Sequence, residues 1–324
     1  MMADLARLGR LPCLVIGRAG MDLYADPPGA KIETATRFTS ALGGSSANIA
    51  VALTRAGGQA ALLTCVSDDA VGRFCLAQLD AYGVDRTHVR ATDAQSRNSL
   101  AVVETRLEDC QSVIYRNGAA DFEMTRADVE AVDYSRFGAL VTTGTVLASE
   151  PSRSATFRAL DLAGEAGLPL IFDIDYRPYS WRSAAEAAEV YSRAATLCDI
   201  IVGNDVEFGF MAGDAALGLE KARSFGARIV IYKMGEKGAI TLTPGEEIRT
   251  GIFMTATLKP TGAGDAFLGN LLASLAREEP LRDAVLRGSA AAAIVVSRVA
   301  CAPAMPTRAE LDRFLTTHSG PTPA

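Results

Sequence analysis

Histidine, tryptophan and paired cysteine are scarce in this 324-residue chain: two histidines, His88 and His318, one tryptophan, Trp181, and six cysteines. Cys13, Cys65, Cys75, Cys110, Cys198 and Cys301 are scattered with no C-x-x-C pair. That excludes the usual zinc sites and a disulfide framework, so the thiols are expected to be reduced and to pack as small apolar groups. Long apolar runs are missing too. The longest, Ala290 to Val296, falls far short of the roughly 20 residues needed to cross a bilayer. Residues Met1 to Arg10 carry two arginines but neither an apolar stretch nor a small-residue cleavage site, so they do not read as a signal peptide. A cytoplasmic protein is expected, with no membrane partner. Excess positive charge is absent as well. With 32 Lys+Arg against 38 Asp+Glu the formal charge is −6, which argues against a nucleic-acid surface and requires any anionic ligand to be captured locally.

What is present is a hydrophobic fraction of 49%, enough for a substantial core. Short apolar runs recur at Leu14–Ile16, Leu62–Val66, Leu140–Thr142, Leu170–Phe172, Ile200–Val202 and Ile229–Tyr232. Between most of them lie Ala-rich stretches with helical spacing: Ser46–Ala56, Val71–Tyr82, Ser152–Ala166 and Ala184–Leu197. Buried strands alternating with helices predict a largely parallel sheet covered on both faces, an α/β sandwich. Two segments break the rhythm, Ile32–Thr39 and the hairpin-like pair Leu100–Arg106 and Gln111–Tyr115. They predict a small β lid with strands from about 31–40 and 99–117. After Gly262 the pattern is helical over Ala266–Arg277, Leu281–Ser297 and Thr307–Thr316. One domain over 11–318 is expected, with flexible termini at 1–10 and 319–324.

The most informative stretch is Lys259-Pro260-Thr261-Gly262-Ala263-Gly264-Asp265. Small residues at a helix start leave amide N–H groups unobstructed in the positive field of the helix dipole, a ready anion hole. Asp265 at the end of that turn is placed to take the proton of an attacking hydroxyl while the amides steady the departing charge. The same residues would also serve as an ordinary Gly-rich helix start. A second cluster, Gly43-Gly44-Ser45-Ser46-Ala47-Asn48, lets a ligand approach the backbone and offers an amide to hydroxyls. It equally fits a turn capped by Ser46. Lys233-Met234-Gly235-Glu236-Lys237-Gly238 follows a strand and reads, alone, as a hairpin turn. Asn204 and Glu207 stand three apart at a helix start near a strand's carboxyl end, suited to ordering magnesium-bound water or to capping the helix. Arg116 and Arg177 end strand-like segments, where planar forks can clamp a carboxylate or form surface ion pairs.

In this order and spacing the clusters resemble the ribokinase-like (PfkB) family of carbohydrate kinases over essentially the whole chain. The resemblance implies a Rossmann-like, three-layer α/β/α sandwich with a small β-sheet lid, and transfer of the γ-phosphoryl of ATP to a sugar hydroxyl. It further implies Asp265 as base and Gly262, Ala263 and Gly264 as the anion hole. Asp22, Gly43, Gly44 and Asn48 would grip the sugar, with Arg116 and Arg177 on a substrate carboxylate. Asn204, Lys233, Gly235, Gly238 and Thr261 would lie along the nucleotide, and Asn204 and Glu207 would hold Mg2+ through water. The segments Gly17–Tyr24, Thr143-Gly144-Thr145, Glu150–Ser154 and Phe172–Pro178 with Trp181 resemble kinases of keto-deoxy sugar acids, and the arginine forks agree with an acidic substrate. Paired lids imply a homodimer. Lys259 departs from the family, which usually has an acidic residue there beside a monovalent-cation site; an ammonium at that point predicts independence of potassium. The competing readings are a kinase for 2-keto-3-deoxygluconate or another sugar, and a catalytically silent nucleotide-binding regulator. An oxidoreductase is disfavoured because no G-x-G-x-x-G follows the first strand.

Overall fold

The computed structural model describes residues 5–93 and 95–323. In chain order, strands β1 (Cys13–Ile16), β2 (Gly20–Asp26) and β3 (Arg37–Gly43) lead into helix α1 (Ser45–Arg55), then β4 (Ala60–Val66), α2 (Ala70–Ala81) and β5 (Asp85–Ala91). A hairpin of β6 (Leu100–Val103) and β7 (Ser112–Tyr115) precedes α3 (Arg126–Glu130), β8 (Ala139–Thr143), α4 (Ser152–Glu165), β9 (Leu170–Asp173) and α5 (Ala184–Thr196). The second half continues through β10 (Ile200–Asn204), α6 (Asp205–Ala212), α7 (Gly218–Ser224), β11 (Ile229–Lys233), β12 (Ala239–Thr243) and β13 (Glu246–Thr250). It closes with α8 (Ala263–Ala276), α9 (Leu281–Val296) and α10 (Arg308–Thr317).

Nine strands form one sheet in the order β13-β12-β11-β10-β9-β8-β1-β4-β5. It is parallel from β11 to β5, and only β12 and β13 run antiparallel at the edge. β1 shows why such strands are apolar throughout. Cys13 and Val15 join the core shared with α1, α8 and α9, while Leu14 and Ile16 join the core beneath α4, α5 and α6. Alternate side chains point to opposite faces and both faces are covered, so every position is buried. The α/β/α sandwich is therefore as expected.

The second sheet has the order β3-β2-β6-β7. The hairpin of β6 and β7 falls where the sequence placed it, but the lid differs in two ways. β2 pairs with both β3 and β6 at its centre, and the neighbouring strand is Arg37–Gly43 rather than Ile32–Thr39, with turn at Thr34. The mixed polar pattern of Gly20–Asp26 hides a strand whose inner face lines a cavity and whose outer face meets solvent. The inner face, with Tyr24, Ala41, Ala101 and Val103, packs on Ala300 and Cys301. Of the termini expected to be flexible, Leu5–Gly9 forms a 3-10 turn against the end of α8, with Leu8 buried. Thr322 exchanges hydrogen bonds with Ile252. Residues 1–4 and 324 lie outside the described residues.

Candidate active site

A cavity of about 810 Å³ runs along the carboxyl ends of the parallel strands, between the small sheet and the layer of α8 and α9. That is where open α/β sheets bind ligands. Of the residues nominated from sequence, only Gly43 is missing from its lining. Gly43 instead backs Asp22: a Cβ there would fall 2.0 Å from Asp22 Oδ1, so glycine is the residue that lets β3 pass behind this carboxylate.

At the centre is the tip of α8. Gly262 caps it at φ 85°, a left-handed conformation in which a side chain would be strained and would also meet Cys301 Sγ at 2.9 Å. Helical geometry leaves the amides of Ala263, Gly264 and Asp265 without helical acceptors at this end. Lys233, at the end of β11, brings its ammonium to the same tip, 3.5 Å from where a Cβ on Gly264 would lie. Asp265 projects from the first turn, and Asn48 Nδ2 donates to its Oδ2 at 2.9 Å. Burial pushes the Asp265 carboxyl up to about 7, with the nearby Asp175 carboxylate adding to the rise and the Asn48 hydrogen bond, Arg177 and Lys233 opposing it. A half-neutralised carboxylate at a bare-amide tip is a proton acceptor tuned to neutral pH.

On the lid side, Tyr24 Oη donates to Asp22 Oδ2 at 3.1 Å, while Asp22 Oδ1 and Asn48 Oδ1 are buried without partners. Two orphaned acceptors in one cavity are matched to a ligand that brings hydroxyl donors. The arginines stand at its rim and wall. Arg116 is buried and bonds Asp121 through Nε and Nη2 and the Thr145 carbonyl through Nη1. Arg177 is 45% exposed and pairs with Asp175 at 2.7 Å.

Asn204 and Glu207 form a capping box at the start of α6. Asn204 Oδ1 accepts from the Glu207 amide at 2.9 Å, and the Glu207 oxygens accept from the amides of Asn204 and Tyr176 at 2.8 and 3.1 Å. Capping and cavity lining thus coexist in the same pair. Two carboxylates with no role assigned from sequence join them: Asp173 and Asp175, at and just beyond the end of β9. Burial, and then neighbouring Asp175, Glu207 and Asp265, hold the Asp173 carboxyl well above its ordinary range despite Lys233. Asp175 adopts φ 38°, uncommon for a non-glycine residue. The signal was available in Asp173-Ile174-Asp175, two acids straddling a strand's carboxyl end. The acids gather at one strand end beside Lys233 and Arg177, yet no three His, Cys, Asp or Glu side chains among the described residues converge to chelate a bare ion.

The Lys233–Gly238 segment is indeed the connection between antiparallel β11 and β12, and it also lines the cavity. Gly238 at φ 80° lies where a Cβ would collide with the Thr250 carbonyl at 2.0 Å. Beyond it, residues 250–255 and Thr257, with Ser289, Ala292, Ala293 and Val296 of α9, form a largely apolar slot. Lys259 is fully buried under the α8 tip, its ammonium donating to the Thr261 carbonyl at 2.6 Å. Burial lowers its pKa.

Comparison with known proteins agrees with this geometry. The model of the pfkB family carbohydrate kinases matches residues 11–308. The chain is 38% identical over 315 residues to the 5-dehydro-2-deoxygluconokinase of Photobacterium profundum, covering 95% of each protein. To the enzyme of the same name from Geobacillus kaustophilus it is 36% identical over 316 residues, covering 95% of this chain and 94% of the relative. Among solved structures, a fructokinase double mutant from Vibrio cholerae with fructose, ADP and potassium ion superposes with a TM-score of 0.84 at 27% identity, over 94% of this chain and 98% of that one. Aminoimidazole riboside kinase from Salmonella enterica, with its riboside and an ATP analog, gives 0.81 at 26%, over 94% and 100%. The glycine-tipped helix with its acid, the lid above it and the near full-length match converge on one assignment: the chain belongs to the pfkB family of carbohydrate kinases.

Proposed function

We propose that the protein transfers the γ-phosphoryl group of MgATP to the terminal hydroxyl of a keto-deoxy sugar acid, 5-dehydro-2-deoxy-D-gluconate, giving its 6-phosphate and ADP. The observation that carries the chemistry is Asp265, held by Asn48 at the amide tip of α8 and facing the cavity. The substrate assignment rests on two full-length relatives of that name and on a cavity that collects arginines inside a net acidic protein.

The substrate's terminal hydroxyl lies against Asp265 and its other hydroxyls meet the free acceptors of Asp22 and Asn48. ATP occupies the slot between the 250–257 segment and α9, its phosphates directed to the α8 tip and Lys233. Asn204 and Glu207 would hold a magnesium ion through water, and the ion would supply charge neutralisation on the phosphates. As the hydroxyl oxygen bonds to the γ-phosphorus, the bond from that phosphorus to the bridging oxygen breaks and ADP leaves. The hydroxyl proton passes to Asp265. The amides of Gly262, Ala263 and Gly264 face the charge on the migrating group, and the lid excludes water. The outer face of the lid carries Phe38, Val113 and Tyr115 in the open, an apolar patch suited to a second copy and hence to a homodimer.

The test is ADP formation with 5-dehydro-2-deoxygluconate beside 2-keto-3-deoxygluconate and fructose. Highest kcat/KM on the first supports the reading. A preference for 2-keto-3-deoxygluconate replaces the substrate but keeps the chemistry, and no ATP consumption with any sugar overturns both.

A further inference from the structure

A third arginine in the cavity, Arg18, differs from the two that the sequence singles out. The residue is 8% exposed, and its one hydrogen-bond acceptor among the described residues is the neutral hydroxyl of Ser99, 3.0 Å from Nη1. The nearest carboxylate, Asp22 Oδ1, lies 4.0 Å from Nη2, too far for a hydrogen bond. A guanidinium has five N–H donors, and burying one with so few acceptors is costly unless something else fills the fork. Arg116 and Arg177 have no such deficit: the first is bonded to Asp121 and Thr145, the second to Asp175 and the Tyr176 carbonyl.

The position is also built rather than incidental. The Arg18 carbonyl accepts from Ala47 at the start of α1, and the next carbonyl, of Ala19, accepts from Asn98. Gly44 gives α1 room to approach, since a Cβ there would lie 2.4 Å from the Arg18 carbonyl oxygen. Gly20 leaves space for the contact between Arg18 and Ser99, each of which would crowd a Cβ, at 3.3 and 2.6 Å. A fixed, buried fork opening on the cavity and short of anionic partners is matched to a carboxylate, which it can hold through two parallel charge-assisted bonds.

We propose that Arg18 is the specificity-determining residue that recognises the substrate's carboxylate, with Arg116 and Arg177 serving mainly to position Asp121, Thr145 and Asp175 around it. This rests on the sugar-acid reading above. Arg177 is committed to Asp175 and its charge acts on Asp265, whereas the one hydrogen bond of Arg18 is to Ser99 beside the small sheet.

The experiment compares wild type, Arg18→Gln and Arg18→Lys by the KM for 5-dehydro-2-deoxygluconate, the KM for ATP, and the inhibition constants of gluconate and of its uncharged alcohol, glucitol. Loss of one bidentate charged contact should raise the sugar-acid KM and the gluconate constant roughly 10- to 100-fold in Arg18→Gln, with ATP KM and glucitol inhibition unchanged. Arg18→Lys, which keeps the charge but not the fork, should fall between. Equal weakening of gluconate and glucitol, or an unchanged preference for the acid, overturns the assignment. If Arg18→Gln does not fold, the same comparison in Arg18→Lys decides. Failure of wild type to phosphorylate any sugar acid sinks the functional reading and this inference with it. A wild type active on the acid beside an Arg18→Gln with full acid preference sinks the inference alone.

Discussion

On the proposed function, Asp265 concentrates the chemistry in one carboxylate, which burial and then the neighbouring Asp175 push up to about 7. Asp265→Asn should lower kcat on the order of 100- to 10,000-fold while leaving ATP binding nearly intact, because proton acceptance belongs to the transition state. Single-turnover rates with an ATP titration separate the two effects. The raised pKa also sets the pH response: kcat/KM should fall as pH drops through about 7, where the base becomes protonated. The stability linkage has the opposite sense. A carboxyl with its folded pKa raised above the ordinary value stabilises the fold below that ordinary value and loses the contribution as pH rises towards 7, so ligand-free Asp265→Asn should show a flatter melting profile over that window. Lys259 makes a different kind of prediction. Its ammonium, buried among the Thr261 and Val295 carbonyls, supplies a fixed cation under the anion hole. Exchanging sodium for potassium should leave wild-type turnover unchanged, and a many-fold rise in steady-state rate would refute that role.

Secondary-structure elements were legible in proportion to how strongly their residues depend on burial. The helices α1, α2, α4, α5, α8, α9 and α10 fall within a few residues of the periodic stretches that announce them, because each carries an apolar stripe for the sheet. β2 was missed because its alternate residues face a cavity that needs polar groups, Asp22 and Tyr24, so function overwrote the apolar pattern. The same reasoning explains the site. Glycine clusters, the acids adjacent to them and the Asp173-Ile174-Asp175 pair are visible as local strings, whereas Arg18 acquires meaning only when strand ends are brought together. The lid hairpin offers a test at this scale. Val113 and Tyr115 alternate with Ser112 and Ile114, which line the cavity, so the two apolar residues point outward and are 44% and 61% exposed. Tyr115→Asp combined with Val113→Asp should convert a dimer to monomers in analytical ultracentrifugation, with the thermal melt of the main sheet retained. A wild type that sediments as a monomer would remove the premise.

Across the whole molecule, one sheet buried on both faces does two jobs: it hides the hydrophobic half of the sequence and lines up five strand ends along one trough. That is why the architecture could be read from alternating apolar runs. β13 escaped the sequence reading because it is an antiparallel edge strand and largely polar. Gly320 and Thr322 lie against residues 251–253 of the trough's wall. Thr322 clasps Ile252 through both its amide and its hydroxyl, and Gly251 packs so closely that a Cβ would lie 1.9 Å from the Thr322 carbonyl oxygen. The tail is in effect a buttress for the wall against which a purine would rest. Trimming residues 319–324, or fusing a purification tag behind them, should loosen nucleotide affinity while sparing the sugar, a split visible as a raised ATP KM beside an unaltered sugar KM.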